Sequence, residues 1–299
     1  MSDTDPQLYA VVPQQDVELH KVDGVFPSFD GLLPQLMALK PEKVVIDGPI
    51  DKLDVHFLQK LRLNGIRIMI INDAKERLPS DCYDAMVCCS IKYAGQSVNQ
   101  TPVYLGPEYI ILDDRFQKLK AGERFIPHEA RRLLLSFGGT DPGRITPLAI
   151  DYLNRCAMEE IFHIDVILGT YSEPLDARLI ESSRHHIQVF RGVSDMAERL
   201  YKTDIAIISG GMTLYEACSL GTPVMAINQN EEQQAEAAGF EAEQAIMNLG
   251  LHEACTLSHF SKQLNRLLRA ETRLELSRRA LRTIDGKGTD RIIAAIELM

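Results

Sequence analysis

Two glycine pairs in this chain stand where a phosphate group could be held. Ile205 to Ile208 is an apolar run that ends in Ser209-Gly210-Gly211, and Met212-Thr213-Leu214-Tyr215-Glu216 follows at once in a helical pattern. Glycine lets the backbone approach a ligand closely. A helix start offers unpaired N–H groups and the positive end of the helix dipole, which suits an anion. Glu216 lies about one turn into that helix, where a carboxylate can accept hydrogen bonds from two sugar hydroxyls. A diphosphate followed by a ribose matches this spacing. Thr213-x-x-Glu216 equally fits a capping box, in which both side chains serve the backbone alone. On this stretch by itself the two readings stand level.

A second turn tips the balance. Leu133 to Phe137 is an apolar strand running into Gly138-Gly139-Thr140-Asp141-Pro142-Gly143, and Thr146-Pro147 reads as a helix start. In parallel α/β sheets ligands bind beyond the carboxyl ends of the strands, and both glycine pairs occupy such ends. Asp47 and Asp73 occupy the corresponding ends earlier in the chain. For Asp47, followed by Gly48-Pro49, turn formation is the stronger reading.

The elements that must position these residues alternate between strands and helices. Strands are expected at Leu8 to Val12, Val44 to Asp47, Ile68 to Asn72, Ala85 to Cys88, Leu133 to Phe137, Ile164 to Leu168, Ile187 to Phe190, Ile205 to Ile208 and Val224 to Ile227. Helical patterns lie between them and close the chain at Ser258 to Leu268 and Asp290 to Leu298. This is an α/β pattern with largely parallel sheets. The charged stretch Arg115 to Arg124 reads as an interdomain linker, dividing the chain at 1–122 and 123–299.

Composition narrows the function classes. The 299 residues suffice for two α/β domains. A formal net charge of −10 argues against a nucleic-acid partner, because no basic surplus exists to neutralise phosphates. No apolar run reaches the ~20 residues of a membrane span. Met1-Ser2-Asp3-Thr4-Asp5-Pro6 is acidic and polar, unlike a signal peptide, so a cytoplasmic location is expected. The six cysteines and eight histidines show no metal-ligand spacing. Neither a metal site nor a cofactor is expected. Cys88-Cys89 reads as small apolar packing, and His185-His186 as core or surface.

Several motifs together resemble a known family. Ser136-Phe137-Gly138-Gly139-Thr140-Asp141, Met196-Ala197-Glu198, Ser209-Gly210-Gly211-Met212-Thr213-x-x-Glu216 and Gly221-Thr222-Pro223 are similar to the UDP-sugar hydrolases of pseudaminic acid biosynthesis. Those hydrolases are in turn similar to spore-coat polysaccharide proteins and to the peptidoglycan N-acetylglucosaminyltransferase. Val45-Ile46-Asp47, Asn72-Asp73-Ala74, Cys82-Tyr83-Asp84 and Gly106-Pro107-Glu108-Tyr109-Ile110-Ile111-Leu112 fall in the family's order. The resemblance covers roughly residues 8 to 250.

The resemblance implies two Rossmann-like domains in a GT-B-like arrangement, with UDP held mainly by the second. Gly138, Gly139 and Thr140 would approach the diphosphate. Ser209, Gly210, Gly211, Met212 and Thr213 would line it and supply donors, and Glu216 would hold the ribose. Gln233 or Gln234 would reach toward the sugar or phosphate, with Asn228-Gln229-Asn230 as competing amides.

The departures from the family concern its chemistry. The family's Gly-x-Gly-His turn, whose His is its proposed catalytic group, occurs nowhere in this sequence, and Gly48-Pro49 stands where the family carries a Tyr. Asp73 and Tyr93 are candidate catalytic groups by position. The first domain is therefore expected to be incomplete or rearranged at its start. Leu8 to Val12 could take the central place with Gln14 to Lys21 replacing a helix, the sheet could rearrange, or a homo-oligomer or other partner chain could complete it. Two functions follow: an enzyme that binds a UDP-linked amino sugar and releases UDP by hydrolysis, in nonulosonic acid or surface glycan synthesis, or a non-catalytic nucleotide-sugar- or partner-binding relative.

Overall fold

The computed structural model describes residues 7–12, 18–22, 33–48, 53–72, 78–96, 102–120 and 124–299. The chain divides into two compact units, Met1–Ile111 with Lys287–Met299, and Leu112–Gly286. The first unit opens with β1 (Gln7–Val12) and β2 (Glu18–Val22), followed by α1 (Leu33–Leu39), β3 (Lys43–Asp47), α2 (Val55–Leu63), β4 (Arg67–Asn72), β5 (Ala85–Cys88) and β6 (Val103–Leu105). Its sheet has the order β2-β1-β3-β4-β5-β6. Strands β3 to β6 are parallel neighbours in chain order. β1 pairs antiparallel with β2 on one side and with β3 on the other. The start of this unit is thus rearranged. Within the same chain β2, over part of the stretch expected to replace a helix, pairs one side of β1 and β3 pairs the other, so the backbone groups of β1 need no second chain.

The second unit contains α3 (Asp114–Leu119), β7 (Arg132–Ser136), α4 (Ile145–Arg155), β8 (His163–Leu168), α5 (Ala177–Glu181), β9 (His186–Arg191), α6 (Met196–Lys202), β10 (Ile205–Ile208), α7 (Met212–Ser219), β11 (Val224–Asn228), α8 (Glu231–Ala242), β12 (Met247–Leu251), α9 (Leu257–Leu267) and α10 (Ala270–Thr283). Its six strands are all parallel, in the order β12-β11-β10-β7-β8-β9. The chain builds outward from β7 to β9, then returns to the other side of β7 and builds outward again from β10 to β12. The reversal makes β7 and β10 neighbours at a topological switch point, where open α/β sheets form a ligand crevice. One face of this sheet buries Leu133, Leu135 and Phe137 against Ile145, Ala149 and Leu153 of α4 and Phe260 and Leu264 of α9.

The chain ends in α11 (Gly288–Leu298), which belongs to the first unit. Right-handed crossovers that advance in one direction lie on one face of a sheet. On that face Val44, Ile46, Ile68 and Ile70 pack with Leu36 of α1 and Phe57, Leu58 and Leu61 of α2. The alternate residues Val45, Met69, Ile71, Ala85 and Val87 need a second layer, and Ile292 and Ala295 of α11 supply it. Lys43 Nζ donates to the carbonyls of Ile296 (2.6 Å) and Glu297 (3.2 Å), placing a cation at the helix C-terminus. At the other end Gly288 lies so close to Ile110 that a Cβ would stand 2.1 Å from its carbonyl oxygen.

This division differs from the expected 1–122 and 123–299 in two respects. The last helix returns to the first unit, because that sheet has a bare apolar face. The expected linker instead begins with α3, which lies in the second unit. Asp113 caps α3 by accepting from Arg115 N at 2.9 Å, and Phe116 is buried. Strand β12 is not among the expected strands, while α10 lies within the last ~50 residues, whose sequence pattern is helical throughout.

Candidate functional site

Both glycine pairs fall at the switch point, after β7 and after β10, whose strands pair from Ile205↔Leu133 to Ile208↔Ser136. The two turns are built differently. After β7, Gly138 adopts φ +84°, a left-handed conformation that favours glycine. The space where Gly139 would carry a Cβ is empty within 4 Å. Asp141 and Arg144 both take left-handed φ, 47° and 48°, and curl the loop back on itself. The Asp141 carboxylate thereby accepts from Ile145 N (2.9 Å) and Thr146 N (3.0 Å). Helix α4 starts at Ile145 with Arg144 at its N-cap, not at Thr146, because Asp141 supplies the cap from three residues further back.

After β10, Ser209 and Gly210 are buried. Gly210 N donates to Asn228 Oδ1 at 3.0 Å, and a Cβ on Gly210 would meet Gln233 O at 2.1 Å. Gly210 therefore serves close packing against the start of α8, and its N–H is already used. Gly211 is the N-cap of α7 and has no side chain to offer. The first-turn N–H groups of Met212 and Thr213 have no intrahelical acceptor. The other helices that follow strands β7, β8, β9 and β11 start differently. Asp141 caps α4, Asp176 caps α5 and Asn230 caps α8, while α6 starts on Asp195, whose carboxylate accepts from Arg199 Nε at 2.8 Å and not from the helix backbone.

Because Gly211 is the N-cap, Thr213 is the second residue of the helix, and the capping box of Thr213 and Glu216 does not form. Glu216 is half-buried. Burial pushes its carboxyl up, Asp113 adds to the rise, and Arg115 and a hydrogen bond from Thr213 pull it back. Arg115 grips Asp113 with two nitrogens, at 2.9 and 3.0 Å, and holds that carboxyl down at about 2. The Arg115 guanidinium also donates to Ser194 O. Glu216 is a partly desolvated carboxylate whose first neighbours are Thr213, Asp113 and Arg115.

The amides after β11 separate into two groups. Asn228 is fully buried and donates to Gln234 Oε1 (2.7 Å), Asn248 Oδ1 (3.0 Å) and Gly250 O (3.2 Å). Gln234 is thereby a framework residue. Gln229 donates through its side chain to Phe137 O and through its backbone to Gln233 Oε1 at 3.0 Å. The Gln233 amide nitrogen lies 4.0 Å from the Cβ position of Gly211, so of the two glutamines it is Gln233 that faces the second turn. Glu236 accepts from Tyr215 OH at 2.5 Å and tethers α8 to α7.

In the first unit, Asp73 lies outside the described residues. Tyr93 ends a 3₁₀ turn, Ile91–Tyr93, on the carboxyl side of β5. Asp47 ends β3, and burial pushes its carboxyl up. Burial also pushes the Cys89 thiol up, to about 12, with Cys88 and Asp47 adding to it. This thiol is therefore no ready nucleophile at neutral pH. His185 is buried, as its core reading holds. Its Nδ1 accepts from Phe162 N at 3.3 Å and its Nε2 lies 3.2 Å from Leu153 O, so the neutral ring is the fitting form.

No family model matches this chain. The uncharacterized protein MJ1062 of Methanocaldococcus jannaschii is 29% identical over 215 residues, covering 68% of this chain and 43% of that protein. The spore coat polysaccharide biosynthesis protein SpsG of Bacillus subtilis is 28% identical over 200 residues, covering 66% of this chain and 58% of that protein. The chain spans about half the length of the curated relatives it matches. Among solved structures, MurG of Acinetobacter baumannii aligns with a TM-score of 0.66 at 14% identity, over 91% of this chain and 77% of MurG. The spinosyn rhamnosyltransferase SpnG, in complex with thymidine diphosphate, aligns with a TM-score of 0.56 at 16% identity, over 89% of this chain and 76% of SpnG. The fold is therefore of the GT-B type. Within it, the chain is a distant homologue of SpsG. Among the described residues no helix is long and apolar enough to cross a membrane.

Proposed function

We propose that the second unit binds a nucleotide sugar, UDP-linked by the family resemblance, with the diphosphate at the start of α7. The observation that carries this reading is the contrast among helix starts. Of the five helices that follow its strands β7 to β11, α7 begins on a bare glycine, at the switch point, with a desolvated carboxylate one turn further on. Met212 and Thr213 N–H groups meet the diphosphate, Gly139 lets it approach the backbone, Gln233 adds an amide donor, and Glu216 accepts from the two ribose hydroxyls. Ser209, Gly210 and Gln234 shape these groups from behind. The SpsG relationship supports a role in surface polysaccharide synthesis.

Calorimetric titration with UDP, run beside Glu216→Ala, tests the reading. Loss of a carboxylate that accepts from hydroxyls should weaken binding by ~1–3 kcal/mol. Absence of binding to the unaltered protein overturns it. Whether the bound sugar nucleotide is hydrolysed is a separate question. The sequence carries no Gly-x-Gly-His, and a proton-transfer group must reach the leaving oxygen for that chemistry. Release of UDP from a UDP-diacetamido sugar is the assay. Turnover supports a hydrolase, and binding without turnover supports a carrier or regulator of the same ligand.

A further inference from the structure

We infer that Arg191 is a positioning residue for the first glycine turn, setting the direction in which that turn presents its N–H groups to a diphosphate. The inference rests on the diphosphate reading above. Arg191 ends β9, two strands away from β7 in the sheet. Its Nη1 lies 2.7 Å from Gly169 O, 3.2 Å from Thr170 O and 2.8 Å from Ser172 O. One guanidinium thus gathers three carbonyls of the loop after β8 and fixes its course.

That loop in turn holds Gly139. Tyr171 N donates to Gly139 O at 3.2 Å, and Ser172 Oγ donates to the same oxygen at 3.4 Å. The two backbones are packed so tightly that a Cβ on Gly169 would stand 2.2 Å from Gly139 O. A trans peptide points its C=O and the following N–H in opposite directions. With the Gly139 carbonyl drawn to the β8 side, the Thr140 N–H faces the β10 side, where the turn before α7 lies. Freed from the β8 loop, this peptide could rotate, and a carbonyl facing an anion repels it.

The test compares two ligands. UDP and uridine share base and ribose, so the ratio of their affinities isolates the diphosphate. Arg191→Met should lower that ratio by about tenfold, the equivalent of one charge-assisted hydrogen bond, while uridine affinity stays constant. Arg191→Lys should fall between, since its ammonium keeps the charge and three donors but sits on a side chain one atom shorter than the reach to Nη1. Should Arg191→Met fail to fold, Ser172→Ala, which removes one bond to Gly139 O, carries the same readout on a smaller scale. A ratio unchanged in these variants, with the unaltered protein favouring UDP, overturns the inference alone. If the unaltered protein binds UDP no better than uridine, the diphosphate reading falls and the inference with it.

Discussion

The turn after β7 and the turn after β10 share a sequence signature and a place in the sheet, yet they treat the helix that follows in opposite ways. Asp141 fills the N-terminus of α4 with a carboxylate of the protein itself. Gly211 leaves the N-terminus of α7 open. An internal carboxylate and an external phosphate satisfy the same N–H groups by the same electrostatics. A helix start that is already capped therefore contributes stability, whereas an open one contributes affinity. The same division runs through the glycines. Gly210 is glycine because the backbone of Gln233 crowds it, and Gly139 is glycine beside empty space.

The sharpest way to break this comparison is Gly210→Ala. The new Cβ would overlap Gln233 O at 2.1 Å and crowd Asn228 Oδ1 at 2.8 Å, and both are anchored groups. Overpacking of this kind should cost ~3 kcal/mol of stability, read as a lower denaturation midpoint with an unchanged slope. A variant as stable as the parent would mean that Gly210 is not a packing glycine.

Glu216→Gln comes next, and it should move stability and affinity in opposite directions. The folded carboxyl titrates above its unfolded value, because burial and Asp113 outweigh Arg115 and Thr213. Its contribution to stability is therefore full below the unfolded value, near 4.3, and is lost as pH rises through the folded one. At neutral pH the ionised carboxylate is a net strain on the empty protein. The amide should raise the melting temperature at pH 7 and leave it unchanged near pH 4, while weakening UDP binding. A drop in stability at pH 7 would restore the view of Glu216 as a structural residue.

Much of this architecture is legible in the sequence, and each exception has its own physical cause. The strands β3 to β5, β7, β8, β10 and β11 show as apolar runs because parallel strands are covered on both faces, while the exposed edge strand β9 shows only through the short stretch Ile187 to Phe190. Strand β12 is an edge. Its Met247-x-Leu249-x-Leu251 alternation is a period-two signal interrupted by Asn248 and Gly250, and a search for continuous runs passes over it. Helix α3 hides in a charged stretch, although Asp113 as cap and the Phe116–Leu119 pair were available as signals. The Thr213-x-x-Glu216 ambiguity could not be resolved from residue types, because it turns on which residue is the N-cap. Arg191 left no trace at all. Its partners are three backbone carbonyls, and backbone carbonyls have no sequence signature.

Asp141→Ala should have a smaller effect, confined to one side of the comparison. Removing the carboxylate leaves Ile145 N and Thr146 N without their acceptor, and a lost N-cap costs ~1 kcal/mol. UDP affinity should hold, since α4 is not the anion-binding helix. A variant that loses UDP binding while keeping its stability would exchange the roles of the two turns.

The smallest stability change is expected for Gly139→Ala, and it is the most discriminating. No atom lies within 4 Å of the added methyl, and Gly139 does not sit in the left-handed region, so stability should shift by less than ~0.5 kcal/mol. The empty space is useful to a ligand that must touch the backbone, and a methyl group there would hold a phosphate away from the Gly139 and Thr140 amides. The variant should therefore melt with the parent and bind UDP weakly, with uridine affinity preserved. Thermal melts alongside paired titrations decide the point. If Gly139→Ala binds UDP like the parent, the diphosphate is held by α7 alone, and the turn after β7 retains its glycines for the bend at Gly138 and no other reason.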